Sequence, residues 1–386
     1  MTQISQSINY RNPGIYFWVI LSPRFFTGRA LRICRADLPL AQTFGFAACR
    51  SAARRPREVN LATEIVDIRQ FDAGDFAALL AAESEAWRAN LHWDYSASAR
   101  LIAACLNERR LTGYALMDER RIGGYSFFLY EGEKALIGDL FVEPGREACA
   151  RLLLEHVLET LMATPGILRI EAQLPHFRAE ELEPAFLPRR FKSYLRKFML
   201  LPLTPSRAHR SVPLPRPTPN AVTTERLADA FISERWERKF DRQAASLLYH
   251  TYRDHVDAVI NDQYSSAAGA ARLIENIVQM RGCGEFIEPA SLVVIHDATR
   301  KLAGVLALTA VRPITAHIPQ IAVVPEFQGA GLGSFMLKSA FEELQRQGFQ
   351  EVSLTVTDVN RGAVRLYERL GFETFHTFGA FVWNRP

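Results

Sequence analysis

The chain has 386 residues, 48% hydrophobic and 23% charged, a length for two or three domains and a composition that argues against a disordered or membrane-spanning chain. Its formal net charge of +4 hides an asymmetry: residues 1–57 hold nine arginines, no lysine and one acid (Asp37), leaving 37 basic and 41 acidic residues elsewhere. The bulk is therefore mildly acidic, without the footprint of a nucleic-acid binder. Five cysteines (Cys34, Cys49, Cys105, Cys149, Cys283) in no metal spacing point to a reducing, cytoplasmic setting.

Residues 1–60 read as an extension. The apolar run Gly14–Leu21 is too short to span a bilayer, and the arginine-rich, acid-poor stretch suits a disordered extension, a transit peptide or sequence upstream of the true start. From Glu64 the texture changes. Ile65–Ile68 predicts a strand, Asp72-Ala-Gly-Asp75 opens a helix through Trp87, and Tyr95-Ser…Arg100-Leu-Ile102 begins another. Tyr114–Met117 and Ile122–Leu129 flank a charged turn, predicting a hairpin. A strand ending Val142-Glu-Pro144, a helix from Cys149 to Met162, a strand from Leu168 to Leu174 and an apolar stretch from Phe191 to Leu201 follow.

Six prolines between Pro202 and Pro219 mark a boundary and a stiff spacer. The same order then returns. Tyr264-Ser…Arg272-Leu-Ile274 echoes the earlier helix start, and Ser291–Ile295 with Leu302–Val311 form a second hairpin. Val323-Val-Pro325 answers Val142-Glu-Pro144 at a separation of 181 positions, and Gly371-Phe372 answers Arg190-Phe191 at the same separation. A constant offset over such a span is an internal duplication.

After the second Val-x-Pro comes Gln328-Gly-Ala-Gly331-Leu-Gly333-Ser334, then a helical repeat from Phe335 to Leu344 closed by Gly348. Glycines let a backbone approach a phosphate, and a helix start presents free N–H groups and a partial positive charge. Gln328-x-x-Gly331-x-Gly333, followed by Asn360-x-x-Ala363-x-x-x-Tyr367-x-x-x-Gly371-Phe372, resembles the acyl-CoA signature of the GNAT acetyltransferase superfamily. The resemblance is dense over roughly the last 70 residues and looser from about residue 220. It implies an α/β (α+β) fold of two tandem GNAT-like domains, each a mixed, mostly antiparallel twisted sheet flanked by helices. The expected boundaries are 61–201 for the first, 202–220 for the linker and 221–386 for the second.

The implied function is N-acetyl transfer from acetyl-CoA, as cosubstrate and without a metal, to a primary amine of a small molecule or of a protein or peptide. The alternative is a CoA-binding or sensing module without turnover. The resemblance assigns the cofactor to Ile321, Ala322 and Val323 of the strand and to Gln328, Gly329, Ala330, Gly331, Leu332, Gly333 and Ser334 of the loop. The resemblance also gives Asn360 a contact to pantetheine, the weakest of the set, since an Asn at a helix start is already explained as an N-cap. Tyr367, a phenol that holds its proton at neutral pH, is the expected general acid, against the plainer reading of a core aromatic. Counting back along the strand from Val323, His317 stands where the family places a basic carboxylate, and is the expected general base. His250 and His255 are lesser candidates. At the offset of 181 the first copy carries Glu147, Ala148, Ala150 and Leu152 for Gln328 and the three glycines, Phe186 for Tyr367 and Leu136 for His317. It is expected to lack the chemistry.

Overall fold

The computed structural model describes residues 63–118, 121–203, 230–279 and 283–386. The N-terminal extension, nearly all of the proline-rich linker, Cys34 and Cys49 lie outside them. The first repeat runs β1 (Thr63–Asp67), α1 (Ala73–Leu91), α2 (Ser96–Asn107), β2 (Thr112–Asp118), β3 (Arg121–Glu131), β4 (Lys134–Val142), α3 (Glu147–Ala163), β5 (Arg169–Gln173), α4 (Ala179–Phe186) and β6 (Lys192–Pro202). The second runs β7 (Phe231–Arg235), α5 (Asp241–Tyr252), α6 (Val256–Ile260), α7 (Ala267–Val278), β8 (Glu285–Phe286), β9 (Leu292–His296), β10 (Lys301–Arg312), β11 (Thr315–Val323), α8 (Leu332–Arg346), β12 (Glu351–Thr357), α9 (Arg361–Arg369) and β13 (Glu373–Asn384).

The local signals act as their chemistry dictates. Asp72 accepts from Gly74 and Asp75 amides while Asp75 accepts from the Asp72 amide, a capping box that starts α1. Moving β4 by 181 positions lands on β11, and moving β6 lands on β13. The duplication is thus visible in the fold as well as in the letters.

One continuous, mostly antiparallel sheet contains the strands, in the order β1-β2-β3-β4-β5-β13-β6-β12-β11-β10-β9-β7, with β8 against β10. The repeats exchange their last strands. β13, the final strand of the second repeat, pairs with β5 of the first. β6, the final strand of the first, pairs with β12 of the second. β6 and β13 run antiparallel side by side at the centre, with Glu373 opposite Leu200 and Val382 opposite Lys192. Equivalent strands lying antiparallel describe a local twofold between the repeats.

The cores follow the exchange. Phe381 and Trp383 of β13 pack among α3 and α4 of the first repeat. Met199 and Leu201 of β6 pack against Met336, Leu337 and Phe372 of the second. The boundary marked by the prolines is therefore a boundary along the chain, while the seam of the sheet is shared.

Candidate active site

β11 and β12 are parallel and pair only from Thr315/Glu351 to Ile318/Leu354. Pro319, which has no N–H to give, stands where the pairing ends. Beyond it β11 keeps to β10, with Gln320 to Val323 opposite Ala307 to Gly304, and its other edge turns to an open cleft of about 540 Å³.

The glycine loop closes one end. Gly329 and Gly331 have φ of 79° and 91°, a backbone that only glycine adopts without strain. Gln328 ties the loop to the strand by donating its carboxamide N–H to the Val323 carbonyl at 3.0 Å. Phe335 N–H donates to Gly331 O at 3.0 Å, so the amides of Leu332, Gly333 and Ser334 are the first-turn donors of α8. The lining includes Ile321, Ala322, Val323, Gln328, Gly329, Gly331, Leu332, Gly333, Ser334, Asn360 and Tyr367. Ala330 is the loop residue expected here that does not line it. Asn360 caps α9, accepting from the Ala363 amide at 3.2 Å, and also lines the cleft.

Tyr367 is 6% exposed. Burial, with the charge of Asp257 adding to it, pushes its phenol above the ordinary range, so it carries its proton at any working pH. His317 is placed elsewhere, and the expectation that it meets the same cleft is corrected. It precedes the point where the strands part, and its Nδ1 lies 2.9 Å from Ser353 Oγ of β12. Trp93 meets its ring edge-on at 5.2 Å and Phe198 lies parallel to it at 6.2 Å, both from the first repeat. Burial lowers the imidazole to about 3, leaving it a neutral core group. His250 sits on the exposed side of α5, bonded to Ser246 O.

The far end of the cleft carries residues that the motifs did not mark. Tyr264 donates to Gln320 Oε1 at 2.8 Å, and Tyr252 donates to the Ile321 carbonyl at 2.7 Å. The two rings stack at 4.7 Å. Asp257 opens α6 and accepts from Arg196 of β6 at 2.9 Å, while Thr357 bonds both of them. Although burial raises the Asp257 carboxyl, bonds from His255 and Thr357 and the charge of Arg196 outweigh it and lower the group to about 2. His255, Arg196 and Gln173 also line the cleft. The Gln173 Oε1 is buried without a hydrogen-bond partner. Arg196 and Gln173 belong to the first repeat and reach this site only through the strand exchange.

The first repeat has a closed counterpart. Tyr95, the counterpart of Tyr264 in the echoed helix start, donates to Asp139 at 2.6 Å, and Asp139 answers Gln320 at the offset of 181. Trp87 stacks on Tyr95 at 5.0 Å, and Glu83 takes a bond from Tyr125 at 2.7 Å. Burial and the neighbouring Asp139 hold Glu83 well above the carboxylate range. Phe186 stacks on Phe381 at 4.0 Å as core. Among the described residues no group of three or more His, Cys, Asp or Glu is placed to hold a metal ion, and no helix is long and apolar enough to cross a membrane.

A splayed parallel strand pair with a glycine loop running into a helix, inside a mostly antiparallel sheet, defines the GNAT fold. Residues 255–372 match the family model described as Acetyltransferase (GNAT) family. The chain is similar to an uncharacterized N-acetyltransferase of Methanocaldococcus jannaschii, 41% identical over 58 residues, 15% of this chain and 26% of that protein. It is also similar to the mycothiol acetyltransferase of Rhodococcus jostii, 36% identical over 70 residues, 18% of this chain and 23% of that one. The chain thus spans about a quarter of the length of these relatives. Over 84% of its length it superposes on a GCN5-related N-acetyltransferase from Sphaerobacter thermophilus, covering 96% of that chain with a TM-score of 0.53 and 13% identity. A tandem GNAT protein from the clavulanic acid biosynthesis pathway superposes over 84% of this chain and 99% of its own, with a TM-score of 0.51 and 17% identity. These two likenesses are of fold.

Proposed function

We propose that the protein is an N-acetyltransferase that moves acetyl from acetyl-CoA to a primary amine by direct transfer, with the second repeat catalytic. The observation that carries this reading is one cleft lined by the glycine loop, the unpaired edge of β11 and the buried phenol of Tyr367. The pyrophosphate would lie on the loop amides and the start of α8, and the pantetheine arm would run along the edge of Ile321–Val323. The thioester then sits near Tyr367. When the amine attacks, the departing thiolate takes the proton that Tyr367 holds. Acetyl-CoA supplies the acyl group, and no metal enters the scheme.

The relatives align with this chain over short segments only, about a quarter of their own length, so their names do not carry over an acceptor. A structural part for the first repeat is supported by Leu152 and Glu147, which stand at the offset positions of Gly333 and Gln328. The test is acetyl transfer from acetyl-CoA to pooled primary amines and peptides, followed as released thiol, with calorimetry for stoichiometry. One CoA site per chain and turnover on at least one amine are expected. Tight CoA binding with no transfer to any amine points instead to a sensing module.

A further inference from the structure

One strand of the first repeat reaches the far end of the cleft. β5 turns Ile170 and Ala172 into the core with α3 and α4, so Arg169, Glu171 and Gln173 share its opposite face. The first two hold the second repeat. Arg169 bonds Glu171 at 2.6 Å and donates to the Val259 carbonyl. Glu171 accepts from the Asp262 amide at 3.1 Å, and Lys134 bonds the Asp262 carboxylate. The stretch from Val259 to Asp262, which supplies Ile260 and Asn261 to the cleft wall, is thus fixed by the first repeat. Gln173, the third, lines the cleft itself. It stands just past the last β4–β5 pair, Ile137 with Ala172, and opposite the small, buried Ala380 of β13.

Gln173 is 9% exposed, and its side-chain oxygen has no hydrogen-bond partner among the described residues. Two hydroxyls on the walls of the same cleft share that condition, Thr251 Oγ1 on α5 and Thr355 Oγ1 on β12. Leu354 and Val356 pack in the core, so Thr355 shares its face of β12 with Thr357, which bonds Arg196 and Asp257. A buried polar atom without a partner costs stability, and such atoms on the walls of a cleft mark what its occupant has to satisfy. Charge at this end is balanced. Asp257 is the sole carboxylate among the described lining residues, and the Arg196 guanidinium binds it at 2.9 Å. A second ammonium on the acceptor would find no free anion.

We propose that Gln173 is a specificity-determining residue of the acceptor site, and that the acceptor is a primary amine whose body carries hydroxyl groups and no second positive charge. The proposal rests on the acetyltransferase reading above. Hydroxyls of the acceptor donate to the Gln173 oxygen and exchange bonds with Thr355 and Thr251, each of which donates as well as accepts. An amine without hydroxyls takes the place of water at these groups and returns no bond, so the site discriminates by what it leaves unpaired. The first repeat thereby contacts substrate, although its own loop carries Glu147 and Leu152 at the offset positions of Gln328 and Gly333.

The experiment uses the full chain with acetyl-CoA and four amine probes: glucosamine, cyclohexylamine, putrescine and N-α-blocked lysine. kcat/KM for each amine is measured for wild type, Gln173→Met and Thr355→Val at saturating acetyl-CoA. Gln173→Met keeps the length of the side chain and removes its polar end. It should lower kcat/KM for glucosamine by about 10-fold and for cyclohexylamine by less than about 2-fold. Comparing variant with wild type on the same amine cancels the different basicities of the probes. Thr355→Val should repeat the selective loss at smaller size, and KM for acetyl-CoA should be unchanged in both variants. If Gln173→Met does not fold, Thr355→Val decides by the same comparison. Unchanged glucosamine turnover, an equal loss on glucosamine and cyclohexylamine, or a wild type that acetylates putrescine or blocked lysine and not glucosamine overturns the assignment and leaves the acetyltransferase reading standing. CoA binding with no transfer to any of the four overturns both.

Discussion

The pairing of Arg196 with Asp257 joins the two repeats, and its removal tests whether the exchange holds the molecule together. The Arg196 side chain is 3% exposed and Asp257 19%, with 2.9 Å between them. Asp257 is lowered from 3.8 to about 2, and at about 1.4 kcal/mol per unit this corresponds to roughly 2.5 kcal/mol of folding stability. The carboxyl is depressed in the folded state, so this contribution is complete above pH ~4 and is lost as pH falls through about 2. Arg196→Met strands a mostly buried carboxylate, which costs about 3 kcal/mol at pH 7. The melting temperature should fall on the order of 5–10 °C, and the acid transition should move to higher pH because the folded carboxyl no longer has its cation. The informative variant is the double, Arg196→Met with Asp257→Asn, which removes both charges. It should be more stable than Arg196→Met alone, with a coupling of about 2 kcal/mol in urea titrations. Additivity within about 0.5 kcal/mol would falsify the claim that the pair couples the repeats.

Tyr367→Phe keeps the ring among Val364 and Phe372 and removes the proton. CoA affinity by calorimetry should persist while kcat drops by about 10²-fold, and an unchanged kcat assigns the proton to another donor. Gly331→Glu puts a Cβ at φ 91° and a carboxylate beside the loop amides, so CoA binding should weaken by more than about 10²-fold; a surviving site of wild-type affinity places the pyrophosphate elsewhere. Residues 61–203 and 221–386 produced separately each lack the strand that completes their sheet half. Alone they should be insoluble or poorly folded by circular dichroism, and together they should form a complex with a single cooperative melt; two independently folded, monomeric halves contradict the strand exchange.

Much of the fold is legible in the chain because its signals are local. The alternation of Val352, Leu354 and Val356, the glycines of the loop and the constant offset of 181 positions are patterns of near neighbours or of copies. They mark the duplication, the glycine loop and Tyr367, and Gly329, Gly331, Gly333 and Tyr367 line the cleft. They mark residues up to the edge of the site and no further. His317 lies six residues before Val323 on the same strand, and counting placed it with the site. What decides its role is Trp93 and Phe198, contributed by the other repeat, which bury the ring and leave it neutral.

The sequence by itself determined the repeat, the two-part α/β plan and the backbone cradle of the second repeat, since glycine conformation and hydrophobic period are properties of short stretches. Only the tertiary structure decided that the last strands change places. Hydrogen bonds between strands are indifferent to which repeat supplies the partner, so β6 and β13 satisfy either half equally well in sequence terms. That choice brings Arg196 to Asp257 across 61 residues of chain.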